Sequence, residues 1–203
     1  MGLVADEVVT GLGRVGTMFG SVHYGMEPDL ITIAKGLTSA YAPLSGSIVS
    51  QGMWDVLVQG SDQFGPIGHG WTYSAHPVCA AAGVANLKLI DEMNLVQNAG
   101  ETGAWFRKGL TDALSGHRNV GEVRGDGLMA AVEFVEDRDD RRFFDPARKI
   151  GPAIAAALLG EGVIGRAMPQ GDILGFAPPL CMTRDEADTV IAAAERAVRK
   201  VLG

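Results

Sequence analysis

The apolar positions of the first hundred residues fall into short runs that are typical of buried strands. Strands are predicted at Leu3–Ala5, Leu30–Ala34 and Gly46–Ser50. Helices are predicted at Phe19–Tyr24, Met53–Val58 and Pro77–Met93, the last with a proline in its first turn. Because strands alternate with helices, the pattern predicts an α/β fold whose first part is half of a larger parallel sheet.

The pattern changes near Asn94, after which amphipathic segments predominate. Residues 99–114 form an amphipathic helix with Trp105, Phe106, Leu110 and Leu114. The later predicted elements are a hairpin of 120–124 and 128–134, a helix at 147–160, and strands at 163–167 and 172–176. A last helix begins at Thr183, with Glu186 completing a capping box. We therefore predict two domains, residues 1–95 and residues 96–203.

Composition and charge exclude several classes of function. The 203 residues are 47% hydrophobic and 20% charged, which is ordinary for a folded protein. The net charge of −7 argues against a nucleic-acid or anionic-membrane binder, because both need a basic surface. No apolar run approaches the ~20 residues of a membrane span. Asp6 and Glu7 follow Met1 too closely for a signal peptide, so we expect a cytoplasmic protein.

Two ionisable residues directly follow predicted strands. Asp6 comes after Leu3–Ala5, and Lys35 comes after Leu30–Ala34. If these strands are parallel neighbours, both side chains lie at one edge of the sheet, where α/β proteins bind ligands. A lysine with a lowered pKa can form a Schiff base with a carbonyl group. Taken alone, a solvent-exposed lysine and a loop-capping aspartate stay open as alternatives.

A glycine-rich segment with hydroxyl side chains, residues 68–77, is a candidate anion site. It reads GHGWTYSAHP, so backbone amides and the hydroxyl of Thr72 or Ser74 are available to an anion. An ordinary loop is the alternative interpretation. His69 and His76 lack a third ligand at the spacing of a metal site, so we predict no metal.

Arg166 also follows a short strand-like run, Val163–Gly165. A guanidinium at such a position can bind a substrate carboxylate through two hydrogen bonds. Without further context, a surface arginine is the simpler interpretation.

Residues Gly11–Gly16 match the G-x-G-x-x-G fingerprint of dinucleotide-binding proteins, which would indicate an NAD-dependent oxidoreductase. The context argues against it. The fingerprint opens a long helix, whereas Gly20, Gly25 and Pro28 follow here. No acidic residue stands about twenty positions further on to bind a ribose.

Together, these segments resemble the class III aminotransferases, which are pyridoxal-phosphate enzymes of fold type I. Residues 3–16, LVADEVVTGLGRVG, are similar to the family's cofactor-ring strand and loop. Residues 28–37, PDLITIAKGL, are similar to its Schiff-base lysine segment. The separation of Asp6 and Lys35, 35 − 6 = 29 residues, also matches. Residues 35–41, 68–77 and 176–180 resemble the ω-, or amine:pyruvate, branch.

The resemblance implies roles for individual residues. Lys35 would carry pyridoxal 5′-phosphate as an internal aldimine, Asp6 would pair with the pyridine nitrogen, and Val8 would press on one face of the ring. Thr72 would bind the phosphate of the partner subunit's cofactor, which implies a homodimer. Arg166 would be a mobile arginine that binds a carboxylate and swings away for an amine without one.

The implied reaction is transamination from an amine or amino acid to a keto acid such as pyruvate, with Lys35 carrying the proton. Residues 1–95 would be the end of the large cofactor-binding domain and residues 96–203 the complete small domain. Because family members are considerably longer, we expect this chain to be their C-terminal portion and to be inactive alone. A non-catalytic fragment, or racemisation, isomerisation or decarboxylation on the same cofactor, remain alternatives.

Overall fold

The computed structural model describes residues 1–203 and divides into two units, residues 1–96 and 97–203. A three-stranded sheet organises the first unit. Its strands are β1 (Val4–Asp6), β2 (Leu30–Ile33) and β3 (Gly46–Val49), in that order across the sheet. β1 and β2 are parallel, as predicted, and β3 is antiparallel to β2. The expectation of a parallel sheet is therefore confirmed for β1 and β2 and wrong for β3. The connection from β2 to β3 holds only a short 3₁₀ turn, not the helix that parallel crossovers usually contain.

Three helices complete the first unit: α1 (Gly20–His23), α2 (Gln51–Phe64) and α3 (Pro77–Glu92). α2 is longer than the predicted Met53–Val58, because the Ser50 hydroxyl caps it at one end and Gly65 ends it at a φ of 90°. None of its residues is buried. The small core of this unit contains Leu12, Leu37 and Ile90.

The second unit contains a four-stranded sheet and two of the remaining helices, while α4 (Leu95–Leu114) begins just before the division. The other elements are β4 (Val120–Asp126), β5 (Met129–Phe134), α5 (Ile150–Gly160), β6 (Arg166–Ala167), β7 (Ile173–Phe176) and α6 (Arg184–Leu202). The strand order is β4-β5-β7-β6, and all neighbours are antiparallel. The predicted hairpin is confirmed.

The apolar face predicted for α4 is confirmed, since Phe106, Leu110 and Leu114 are buried in the core of the second unit. Trp105 remains 44% exposed and donates a hydrogen bond from Nε1 to Asp188, 2.7 Å away. The capping box at the start of α6 is also confirmed.

The start of α5 and the extent of β6 differ from the predictions. α5 begins at Ile150 and not at residue 147, because Lys149 has a φ of 50° that separates it from a preceding 3₁₀ turn. β6 is limited to Arg166–Ala167. None of the helices combines the length and hydrophobicity that a membrane span requires.

Candidate active site

Asp6 is the last residue of β1 and lies opposite Thr32 of β2 in the parallel register. Its Oδ1 accepts hydrogen bonds from the Val8 amide (3.1 Å) and from the Thr32 hydroxyl (3.2 Å). Its Oδ2 receives no hydrogen bond from the chain. The carboxylate is thus oriented through Oδ1. Because the side chain is exposed, Oδ2 can accept a hydrogen bond from a bound ligand.

Lys35 stands just beyond the end of β2, after Ala34. Its side chain is exposed and makes neither an ion pair nor a hydrogen bond. Its backbone has a φ of 42°, in the left-handed region that residues other than glycine rarely adopt. Strained backbone of this kind is concentrated at functional sites and needs support from its surroundings. The site therefore presents a free primary amine from a conformationally restrained residue.

The parallel register brings Asp6 and Lys35 to the same edge of the sheet, as predicted from the two strands. Neighbouring strands are about 4.8 Å apart, and a strand rises about 3.3 Å per residue. Lys35 is three positions beyond Thr32, the partner of Asp6, so its Cα lies at most ~10 Å further along. Five bonds of about 1.5 Å let a lysine amine reach roughly 6 Å from its Cα. The Lys35 amine can therefore reach back toward the end of β1 that carries Asp6.

Glu7 is a functional neighbour that the sequence reasoning did not identify. It is only 2% exposed, and its Oε1 accepts a hydrogen bond from the Ser21 amide (2.6 Å). Its Oε2 accepts from the Gly20 amide (2.8 Å) and the Thr10 hydroxyl (2.5 Å). The available signal is a carboxylate directly after a short apolar strand and before a glycine-rich loop, whose backbone amides can serve as donors to a buried acid.

The electrostatics of Glu7 follow from these contacts. Burial raises the pKa of its carboxyl, but the hydrogen bonds from Thr10, Ser21 and Gly20 together outweigh burial, and the pKa lies below its usual 4.5. Glu7 is therefore ionised at neutral pH and anchors the loop that follows Asp6. Val8, predicted to contact the cofactor ring, is half-buried in that loop.

The loop at Gly11–Gly16 lacks the context of a dinucleotide site. The next helix, α1, has only four residues and begins at Gly20. Leu12, Gly13 and Gly16 have positive φ values, so the segment is a series of tight turns. The arrangement does not support the alternative of an NAD-dependent oxidoreductase.

Thr72 lies in the connection between α2 and α3, and its side chain is exposed. The Ser74 hydroxyl accepts a hydrogen bond from the Trp71 amide (3.0 Å) and keeps its own proton free to donate. The Thr72 hydroxyl makes no hydrogen bond within the chain. Both hydroxyls can therefore donate to an anion.

Arg166 belongs to the second unit, where β6 pairs it with Gly175 of β7. Its guanidinium is exposed and makes no ion pair. By contrast, Arg124 is held by Glu122 (2.7 Å) and Glu133 (2.6 Å). No group of three His, Cys, Asp or Glu side chains is arranged to hold a metal ion.

Comparison with known proteins identifies the family. A model of the family described as aminotransferase class-III matches residues 1–198. The chain belongs to the class III aminotransferases. The resemblance noted in the sequence is thereby confirmed, and so is the α/β architecture of fold type I, because the structure superposes on known transaminases.

Curated class III relatives are similar over almost the whole chain. The diaminobutyrate–2-oxoglutarate transaminase of Halomonas elongata is 60% identical over 199 residues, which are 98% of this chain and 42% of the relative. The mitochondrial gamma aminobutyrate transaminase 1 of Solanum lycopersicum is 37% identical over 197 residues, 97% of this chain and 38% of the relative. This class III chain thus spans less than half the length of these relatives.

Solved structures show the same relation. A structure from directed evolution of transaminases by ancestral reconstruction has a TM-score of 0.98 at 58% identity, covering 99% of this chain and 44% of its own. An (S)-enantioselective omega-transaminase from Thermomicrobium roseum has a TM-score of 0.93 at 41% identity, covering 100% and 44%. Class III aminotransferases depend on pyridoxal phosphate. The carboxylate oxygen of Asp6 and the amine of Lys35 fit this cofactor as an acceptor for a ring N–H and a nucleophile for an aldehyde.

Proposed function

We propose that these residues are the C-terminal portion of a pyridoxal-phosphate-dependent aminotransferase that moves an amino group from an amine or amino acid to a keto acid. One observation carries the proposal. In a class III chain, an oriented carboxylate and an unpaired primary amine follow two paired parallel strands at the same edge of the sheet.

Asp6 would act on the cofactor ring. Pyridoxal phosphate, when bound, supplies an aldehyde that condenses with amines and a ring that accepts electrons from a breaking bond. A carboxylate beside the ring nitrogen favours its protonated, cationic form. Thr32 and Val8 fix Oδ1 of Asp6, which leaves Oδ2 as the acceptor for the ring N–H.

Lys35 would act as nucleophile and then as proton carrier. Its amine has no partner to release, so it would be available as the nucleophile toward the aldehyde of the bound cofactor. When it is not bonded to the cofactor, the same nitrogen would be free to accept a proton from a substrate carbon and to donate it again. Val8, two residues after Asp6, would pack on one face of the ring.

Arg166 would bind the carboxylate of the keto acid. Its guanidinium is unpaired and exposed, which suits bidentate recognition of a carboxylate. One relative is named for 2-oxoglutarate as acceptor, and structural relatives include omega-transaminases. We propose pyruvate as the acceptor, with Arg166 moving aside when the donor lacks a carboxylate.

The exposed apolar surface of the first unit supports an assembly larger than this chain. In α2, Trp54 is 53% exposed and Phe64 is 81% exposed, and Trp71 and Tyr73 beside Thr72 are also exposed. Large exposed apolar surfaces mark interaction sites. We propose a cytoplasmic homodimer in which Thr72 binds the phosphate of the partner subunit's cofactor.

The test uses two proteins: the 203-residue chain alone, and a joined enzyme in which the preceding region of the Halomonas relative is fused to residues 1–203. We expect transamination between an amine and pyruvate in the joined enzyme and none in the chain alone. Lys35→Ala abolishes the activity and Lys88→Ala, an exposed lysine on α3, does not. An active Lys35→Ala enzyme, or products of racemisation or decarboxylation, would overturn the proposal.

A further inference from the structure

The turn that presents Lys35 contains three residues with left-handed backbone. Besides Lys35 at a φ of 42°, Ser39 and Ala40 have φ values of 49° and 61°. Within the turn, the Thr38 amide (3.3 Å) and the Ala40 amide (3.2 Å) both donate to the Lys35 carbonyl. These two hydrogen bonds are long, although the Leu37 amide donates to the Ala34 carbonyl at an ordinary 3.0 Å, so a contact from outside the turn adds support to this conformation.

Such a contact comes from Asn86, which is distant in sequence. The Asn86 side-chain amide donates to the Gly36 carbonyl at 2.7 Å and to the Leu37 carbonyl at 3.3 Å. The two acceptors are the residues immediately after Lys35. Asn86 is the only residue outside the turn and its strand for which hydrogen bonds to these two carbonyls are found.

The packing of α3 explains how Asn86 reaches the turn. Gly83, Asn86 and Ile90 lie on one face of the helix, at spacings of three and four residues. Ile90 packs with Leu37 in the core of the first unit. A Cβ at Gly83 would lie 3.0 Å from Leu44 Cδ2 and 3.7 Å from the Leu37 carbonyl oxygen, so the glycine permits the close approach.

We propose that Asn86 is a positioning residue that acts through Lys35. It holds the Gly36 and Leu37 carbonyls, and thereby the left-handed backbone from which the lysine reaches the cofactor. Asparagine is a poor helix former compared with alanine, so its place in the middle of α3 serves this contact and not the helix. This inference rests on the proposed function, because it assigns Lys35 as the residue that binds pyridoxal phosphate.

The main test is a double-mutant cycle on the affinity of the joined enzyme for pyridoxal phosphate, measured by absorbance titration. Asn86→Ala raises the dissociation constant about tenfold when Lys35 is present, which corresponds to about 1.4 kcal/mol. In the Lys35→Ala background, Asn86→Ala changes the dissociation constant by less than about twofold, because the effects of substitutions at coupled residues are not additive. Lys88→Ala, on the same helix, leaves it unchanged.

Equal effects of Asn86→Ala in the two backgrounds would overturn the inference, since they would show that Asn86 supports the site independently of Lys35. A failure of Lys35→Ala to weaken binding would instead overturn the proposed function. Amide hydrogen exchange tests, without the cofactor, whether Asn86 supports the turn after Lys35. Asn86→Ala should accelerate exchange at Thr38 and Ala40 about tenfold and leave the middle of α3 unchanged.

A measurement on the unaltered protein covers the case in which the variants fold poorly. The side-chain amide protons of Asn86 should exchange more slowly than those of Gln59, which is exposed and makes no hydrogen bond. Equal exchange rates for the two side chains would contradict the inference.

Discussion

Replacing Glu7 by glutamine should destabilise the first unit by about 3 kcal/mol at neutral pH. The carboxylate accepts from Ser21 through Oε1 and from Gly20 and Thr10 through Oε2. In either orientation of a glutamine amide, its NH₂ group faces one of the two backbone donors. One buried N–H then loses its acceptor, which costs about 1–3 kcal/mol, and the remaining bonds lose the contribution of a charged acceptor.

The destabilisation should depend on pH in a defined direction. The folded-state pKa of Glu7 lies below 4.5, so ionised Glu7 stabilises the fold above pH 4.5. This contribution is lost as the pH falls from 4.5 through the lowered folded-state pKa. The difference between the wild type and Glu7→Gln is therefore complete at neutral pH and shrinks below 4.5.

Urea unfolding followed by circular dichroism measures this difference. For a slope near 2 kcal/mol/M, the predicted loss lowers the midpoint by about 1.5 M. Hydrogen exchange at the Gly20 and Ser21 amides shows whether the effect begins at the loop. Glu27→Gln is the matched control, because Glu27 is exposed and makes no hydrogen bond. An equal loss of stability in the control, or a difference for Glu7→Gln that does not vary with pH, would show that the ionised Glu7 does not stabilise the loop.

Three further substitutions probe other parts of the chain. Thr32→Val removes a hydrogen bond to Asp6 and should weaken binding of pyridoxal phosphate to the joined enzyme about fivefold to tenfold, whereas Thr32→Ser should retain it. Arg166→Ala should lower kcat/KM for the keto acid about 100-fold and change the reaction of a carboxylate-free amine far less. Gly103→Ala should destabilise the second unit by about 2 kcal/mol, because its Cβ would lie 2.2 Å from the Gly127 backbone.

Each of these predictions has a result that contradicts it. If Thr32→Ser weakened the binding of the cofactor as much as Thr32→Val, the Thr32 hydroxyl would have no role in that binding. Equal decreases in kcat/KM for the keto acid and for the amine would show that Arg166 does not recognise a carboxylate. For Gly103, thermal unfolding is compared with that of Gly116→Ala, where the added Cβ meets no atom within 4 Å. Similar melting temperatures would argue against the steric contact.

The sequence predicted those elements that are determined by residues close together in the chain. The capping box at Thr183 and Glu186 is formed by side chains three residues apart, and the start of α6 follows from it. The hairpin is specified by Gly125-Asp126-Gly127, where two of the residues have positive φ. Asp6 and Lys35 were also predictable as neighbours, because two apolar strands ending in ionisable groups need only to pair in parallel.

Features that depend on distant contacts were not predictable from local patterns. Nothing around Asn86 indicates that its amide reaches carbonyls about 50 residues earlier in the chain. The antiparallel direction of β3 depends on how the strained turn after Lys35 reverses the chain. The full length of α2 was not predicted, although its apolar residues lie mainly on one side of the helix and none of them is buried in this structure.

Peptide mapping tests directly whether Lys35 is the residue that bonds to the cofactor. The joined enzyme is incubated with pyridoxal phosphate, reduced with borohydride, digested and analysed by mass spectrometry. We predict that the phosphopyridoxyl group is found on Lys35. Its presence on Lys88, Lys108, Lys149 or Lys200 instead, or the absence of any modified lysine, would show that Lys35 does not have this role.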